Sequence, residues 1–235
     1  QQSQQTTLSD SAIRNALLAN FDAKCPVEIS ISNSGKSNFH SIVADGYGYT
    51  GGTLYVHLNM GWGGYYDAWY NLPGIDAGHG FSLIDGVVYN IFPRNDGDLI
   101  TGRVLDPDGN AVEGASVQAL DGSSVAATAT TDAAGIYALH LTGGKGYTVE
   151  ASAPGMDTAS TSVYLTASVP HDYYSYEYGT IGNSWGNDLT LTASSVDEIP
   201  AAPAGVSASD GTSTAKVRIS WSASSGATYY KVYRA

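Results

Sequence analysis

Residues 40–64 read HSIVADGYGYTGGTLYVHLNMGWGG, and the fold of the first third of the chain turns on how that stretch is read. Apolar residues at alternate positions lead into it (Ile42, Ala44) and out of it (Leu54, Val56, Leu58), with a Gly/Tyr-rich centre between. This pattern predicts a β-hairpin with its loop near Gly46–Gly52. Folding about the middle of that loop sets His40 opposite Asn59. Directly opposed residues of an antiparallel pair hold their Cβ atoms about 4.5–5.5 Å apart. An amide oxygen beside an imidazole holds one ring nitrogen, fixes the tautomer and leaves the other nitrogen free as a base. His40 and Asn59 are then two of the three parts of a Cys-His-Asn catalytic arrangement. Trp62 follows among Gly61, Gly63 and Gly64, which permit close backbone approach and unusual dihedrals. An indole held there would cover the His–Asn bond from water and so strengthen it.

Working upstream, Ile13, Leu17, Leu18 and Phe21 recur at helical spacing, with Ser9 placed to cap the helix. A strand follows through Pro26, Val27, Ile29 and Ile31. Cys25, the sole cysteine, falls after the helix, which excludes an intramolecular disulfide. A nucleophilic thiol belongs at a helix N-terminus, where the dipole favours thiolate; Cys25 lies near the opposite end and reads as a bland thiol. His57, His79, His140 and His171 show no metal-ligand spacing, and no metal or organic cofactor is expected. His57, two positions before Asn59, is expected to pack or face solvent.

His40, Asp45, Gly46 and Tyr47, followed by Asn59, Met60, Gly61, Trp62, Gly63 and Gly64, resemble the streptopain family of papain-like cysteine peptidases. The helix and Pro-Val strand before them agree with it, as do Tyr65–Pro73 and the closing Gly86–Pro93 after them. The resemblance covers roughly residues 8–93. Met60 stands where the family often has an aromatic residue, and Asn38-Phe39 where it has two glycines before the histidine. The resemblance implies peptide-bond hydrolysis through an acyl-enzyme, with His40 as base and then acid, Asn59 orienting it and Trp62 shielding the pair. It also implies a nucleophilic cysteine and oxyanion donors upstream of this region, in an N-terminal half of the peptidase domain missing from these residues. This chain alone is therefore expected to be inactive.

Composition narrows the partners. Net charge is −12 with only 14% charged residues, which argues against nucleic acid, whose binding needs clustered Lys and Arg. The expected partner is a protein or peptide substrate. No apolar run is long enough for a transmembrane helix. Low charge with abundant Gly, Tyr, Ser and Thr suits a secreted or cell-surface bacterial protein.

After Pro93 the pattern changes. A polar junction, Arg94–Asp98, opens a series of short strands separated by Gly/Asp/Pro turns, the signature of a β-sandwich. Gly102–Val104, Gly109, Gly114–Val117, Thr131–Tyr137 and Tyr147–Gly155 resemble carboxypeptidase regulatory-like domains. Asp106 and Asp108 lie in an Asp-Pro-Asp-Gly-Asn turn that reads as a turn rather than a Ca²⁺ site. The first strand lacks the lysine that an isopeptide crosslink would need. The Tyr-dense stretch His171–Trp185 reads either as a binding patch or as a packed loop. Asp197–Gly205 is a Pro/Ala linker. Val206, Trp221 and Tyr230–Arg234 then resemble the opening strands of a fibronectin type III domain.

The fold class expected is α+β: the C-terminal half of a papain-like peptidase domain (1–94), followed by an all-β sandwich (95–196) and a linker with a truncated fibronectin-like module (197–235). The function expected is part of a secreted cysteine endopeptidase. The alternative is a non-catalytic surface binding or adhesion protein with a degenerate peptidase-like region.

Overall fold

From Val27 onward, alternating β-branched and small residues build strands, and the computed structural model describes residues 11, 14–92, 97–169, 180–194, 201–209, 216–225, 227 and 229–233. Apart from residue 11, helix among these is confined to a π-helical turn, Arg14–Leu18, running into α1 (Ala19–Asp22). The cap expected at Ser9 and the helical position Ile13 lie outside the described residues. The α+β expectation is therefore corrected. The protein is nearly all β, with several sheets, and a mixed papain-like half is not what the chain forms. The reason is local: residues 27–33 and 39–59 alternate with period two and are interrupted by glycine, so they pair as strands rather than winding.

Five strands make the first sheet: β1 (Val27–Asn33), β2 (Phe39–Thr50), β3 (Thr53–Asn59), β4 (Ala68–Tyr70) and β5 (Phe81–Val88). They lie in the order β4-β3-β2-β1-β5, every neighbouring pair antiparallel. One face is buried through Val27, Ile29, Ile31, Ile42, Ala44, Val56 and Leu58, and Leu17 and Leu18 pack on it. Full burial of each large aliphatic is worth about 1.5–3 kcal/mol. The other face carries the exposed Phe39, Val43 and Trp69.

The β2–β3 hairpin exists as expected, but its turn is tighter. Thr50 pairs with Thr53 across Gly51 and Gly52, at φ 56° and 81°. That is the two-residue, positive-φ connection whose twist matches antiparallel strands. Gly46 and Gly48, expected in the loop, are instead in the strand, beneath the Trp69 ring. A register shift between Ala44 and Gly46 then marks a bulge at Asp45.

The second region is a sandwich of β6 (Asp98–Leu105), β7 (Ser116–Asp121), β8 (Ser124–Thr130), β9 (Ile136–Leu141), β10 (Lys145–Ser152), β11 (Ala159–Leu165) and β12 (Leu189–Thr190). One sheet runs β11-β10-β7-β8 and the other β12-β6-β9. Between them lie Ile100, Val104, Val117, Tyr137, Leu139, Val149 and Leu165. Asp106 closes its own turn, accepting from the backbone N–H groups of Asp108 and Asn110 at 2.9 and 2.8 Å. Lys145 donates to Asp121 at the surface, at 2.9 Å.

The described residues up to Thr192 form one compact unit. Ile181 and Trp185 pack on the first sheet's core. Three carboxamides bridge the two regions: Asn90 Nδ2 donates to Asn183 Oδ1 (3.0 Å), and the Asn90 backbone N–H donates to Asn20 Oδ1 (3.0 Å). Of the Tyr-dense stretch, residues 171–179 lie outside the described residues. In the second unit, β13 (Ala204–Ala208) pairs antiparallel with β14 (Ile219–Ser222), and Trp221 lies 5.4 Å from Tyr230 between ring centroids. Asp197–Pro200 and Arg234, named above in the linker and module, are outside the described residues.

Candidate functional site

His40 enters β2 opposite Ile31 of β1, so its side chain shares the buried face but sits at its rim. Its Nε2 lies 2.7 Å from the backbone carbonyl oxygen of Met60. A carbonyl only accepts, so Nε2 carries the proton and Nδ1 of the neutral ring is left bare. Trp62 stacks on the imidazole, with centroids 4.7 Å apart and planes 15° from parallel. Phe81 lies 5.9 Å away on β5, and His79 meets the Trp62 ring edge-on at 5.2 Å. Ser37, Asn38, Phe39, His40, Trp62, His79 and Phe81 line an open cleft of about 730 Å³. A ring held by one nitrogen, covered on one face and open to a cleft, is equipped to move a proton through the other nitrogen.

Asn59 is not where the hairpin reading put it. The tight turn and the bulge bring Val43, not His40, opposite Asn59. Val43 and His40 are an odd number of residues apart, so Asn59 falls on the outer face of the sheet while His40 points to the inner one. The Asn59 Oδ1 accepts the Gly61 backbone N–H at 2.8 Å. The chain beyond it curls back, with Gly61, Gly63, Gly64 and Tyr66 at φ 73°, 66°, 90° and 61°. The Met60 N–H donates to Asp67 Oδ1 at 2.8 Å, closing the loop that seats Trp62. Reading the sequence missed Asp67 and the Met60 carbonyl. Backbone acceptors leave no residue signature, and Asp67 becomes meaningful only once the loop closes.

Cys25 precedes β1 by two residues, and the partner of His40, Ile31, lies four residues, about 13 Å, beyond the start of that strand. Burial pushes its thiol pKa up, and Sγ is placed against the Ala23 carbonyl at 3.5 Å. Both disfavour a thiolate. His57, expected to pack or face solvent, pairs through Nδ1 with Asp45 Oδ1 at 2.6 Å and tilts against Trp69 on the outer face. The bulge at Asp45 makes that pair.

Residues 1–70 match the Peptidase C10 family, the streptopain-like cysteine peptidases, and residues 99–173 match the carboxypeptidase regulatory-like domain. The first match contains His40, Asn59 and Trp62. No curated protein matches the chain. Among solved structures, a point mutant of catechol 1,2-dioxygenase from Acinetobacter radioresistens is 17% identical, over 42% of this chain and 52% of its own, with a TM-score of 0.29. A hydroxyquinol 1,2-dioxygenase from Pseudomonas putida is 15% identical, over 42% and 58%, with a TM-score of 0.27. The shaft pilin SpaA from Lactobacillus rhamnosus GG is 15% identical, over 72% and 88%, with a TM-score of 0.30. The chain thus spans little more than half the length of the two dioxygenases. At these scores the likenesses decide neither fold nor function.

Proposed function

We propose that the first sheet is the base-bearing half of the cleft of a secreted bacterial cysteine peptidase. The observation that carries this reading is the His40 ring, its Nε2 held by the Met60 carbonyl and its face covered by Trp62, inside a region that matches a cysteine peptidase family. His40 Nδ1 takes the thiol proton as the sulfur attacks the substrate carbonyl, then returns it to the leaving amine. Trp62 keeps water off the Nε2 bond, which strengthens it. The thiolate comes from a cysteine outside these 235 residues, in the other half of the peptidase domain, because Cys25, before the start of β1, has its thiol pKa pushed up by burial and its Sγ against the Ala23 carbonyl. The substrate is a protein or peptide lying in the cleft between Phe39 and Phe81. Low charge and a Gly/Tyr/Ser-rich composition support secretion, and the Val206/Trp221/Tyr230 arrangement supports a fibronectin-like third module.

The test is His40→Ala in the protein that carries the nucleophile, assayed on casein. Removing one member of such a catalytic unit is expected to lower cleavage by about 10³-fold or more, with an unchanged circular dichroism spectrum. Unchanged cleavage would refute His40 as the base. A second reading, a surface binding protein with a degenerate peptidase-like region, draws on an exposed hollow of about 390 Å³ lined by Tyr49, Thr50, Tyr55 and Trp69. A folded, nucleophile-bearing wild type without activity on any protein substrate would favour it.

A further inference from the structure

We infer that the Met60–Gly61 peptide, clamped by Asn59 and Asp67, is the group that orients His40, and that Asp67 is a positioning residue of this site. Its consequence for catalysis rests on the peptidase reading; the geometry itself does not.

The Met60 carbonyl and the Gly61 N–H are opposite ends of one rigid plane. The carbonyl end receives His40 Nε2 at 2.7 Å, and the N–H end is held by Asn59 Oδ1 at 2.8 Å. Asn59 therefore acts on His40 through a peptide rather than by touching the ring. The plane can still swing about the Met60 Cα bonds unless the preceding peptide is also fixed. Asp67 supplies that restraint: its Oδ1 accepts the Met60 N–H at 2.8 Å. Both planes flanking Met60 Cα are then pinned. The Met60 side chain, fully buried, prevents the whole segment from sliding. A carboxylate acceptor makes a bond roughly twice as strong as a neutral one.

Gly61 has a matching requirement. It sits at φ 73°, a left-handed turn that sends the chain after the peptide back toward Trp62 while the carbonyl before it faces the ring. The same loop, Met60 to Asp67, carries Trp62. Releasing Asp67 would thus loosen both the bond that sets the tautomer and the indole that covers it.

The experiment uses the 235-residue chain labelled with ¹⁵N-histidine, read by long-range ¹H–¹⁵N spectra, with His40→Gln to assign the ring. In the wild type His40 should show one tautomer, Nε2–H, with a slowly exchanging Hε2. In Asp67→Ala the Hε2 should exchange at least about tenfold faster, and Asp67→Asn, which keeps an acceptor oxygen, should restore it. An Hε2 equally protected in a folded Asp67→Ala overturns the inference. Should Asp67→Ala not fold, Asn59→Ala releases the other end of the same peptide and must produce the same loss; unchanged protection there overturns the inference too. In the nucleophile-bearing protein, Asp67→Ala should lower kcat by about 10–100-fold, by analogy with the partners that orient metal-binding histidines, with KM little changed and Asn restoring most of it. A wild type that cleaves nothing while its Hε2 still responds to Asp67→Ala sinks the peptidase reading and leaves the positioning role standing.

Discussion

The five-stranded sheet and the sandwich both set glycines at positive φ, but among the described residues only the first region sets other residues there. In the sandwich, Gly102 on β6 is there for space: a Cβ would stand 2.3 Å from the Asn187 carbonyl oxygen. Around the His40 cleft, Gly61 has nothing within 4 Å of where its Cβ would be, yet sits at φ 73°. One is required by packing, the other by backbone direction. The two regions differ in their non-glycine residues. Lys24, Lys36, Tyr66, His79 and Asn90 hold positive φ in or beside the first sheet, whereas among the described sandwich residues only glycines do. Tyr66 and His79 both touch Trp62. Left-handed backbone is costly for any residue but glycine, and two of these five positions bear on the indole that covers His40.

The comparison can be broken at three depths. Gly102→Ala should have the largest effect, because the clash is with backbone that cannot rotate away. Overpacking of this kind costs about 3 kcal/mol, a fall in melting temperature of roughly 6–12 °C for a unit of this size. An unchanged melting temperature would show that the sandwich yields where the contact says it cannot.

The seam between the regions should respond to pH. Burial pushes the Asp22 carboxyl up from 3.8 to about 6, against the opposing hydrogen bond from the Tyr47 hydroxyl at 2.8 Å. The folded chain holds that proton more tightly than the unfolded one, so stability falls as pH rises from about 4 to about 6 and is lower, but steady, above. The span corresponds to on the order of 2–3 kcal/mol. Asp22→Asn keeps an acceptor for Tyr47 without the charge. It should match the wild type near pH 3.5 in urea melts and exceed it near pH 7.5. A difference that does not change with pH would remove Asp22 as the cause.

Gly61→Ala should have the smallest effect on stability, about 1 kcal/mol for forcing a side chain into the left-handed region, yet it should expose His40 Hε2 to exchange. Stability lost without a change at His40 would show that the Gly61 turn does not hold the Met60 carbonyl.

Much of this molecule was legible in its residues. Alternation gave the β2–β3 hairpin, and the spacing of Gly/Asp turns gave the sandwich, because both are local patterns written within about ten residues. The closeness of Trp62 to His40 was also legible in the sequence, through the glycines around Trp62 and the family pattern. The helix did not carry the weight assigned to it, since few residues wind and the sheet dominates the count. The Gly51-Gly52 pair was a turn signal in plain view, but Gly46 and Gly48 competed with it, and only the Trp69 ring above them shows why they belong to a strand.

What the sequence determined alone was therefore the kind of element and the chemistry of the residues in it. What the tertiary structure decided was which residue faces which. A bulge of one residue at Asp45 and a turn shortened to two positions move Asn59 from beside His40 to the opposite face. Side chains alternate with period two, so any odd displacement reverses the face. The ring is then held not by the amide that spacing suggested but by a backbone carbonyl, which every residue possesses and no sequence can single out.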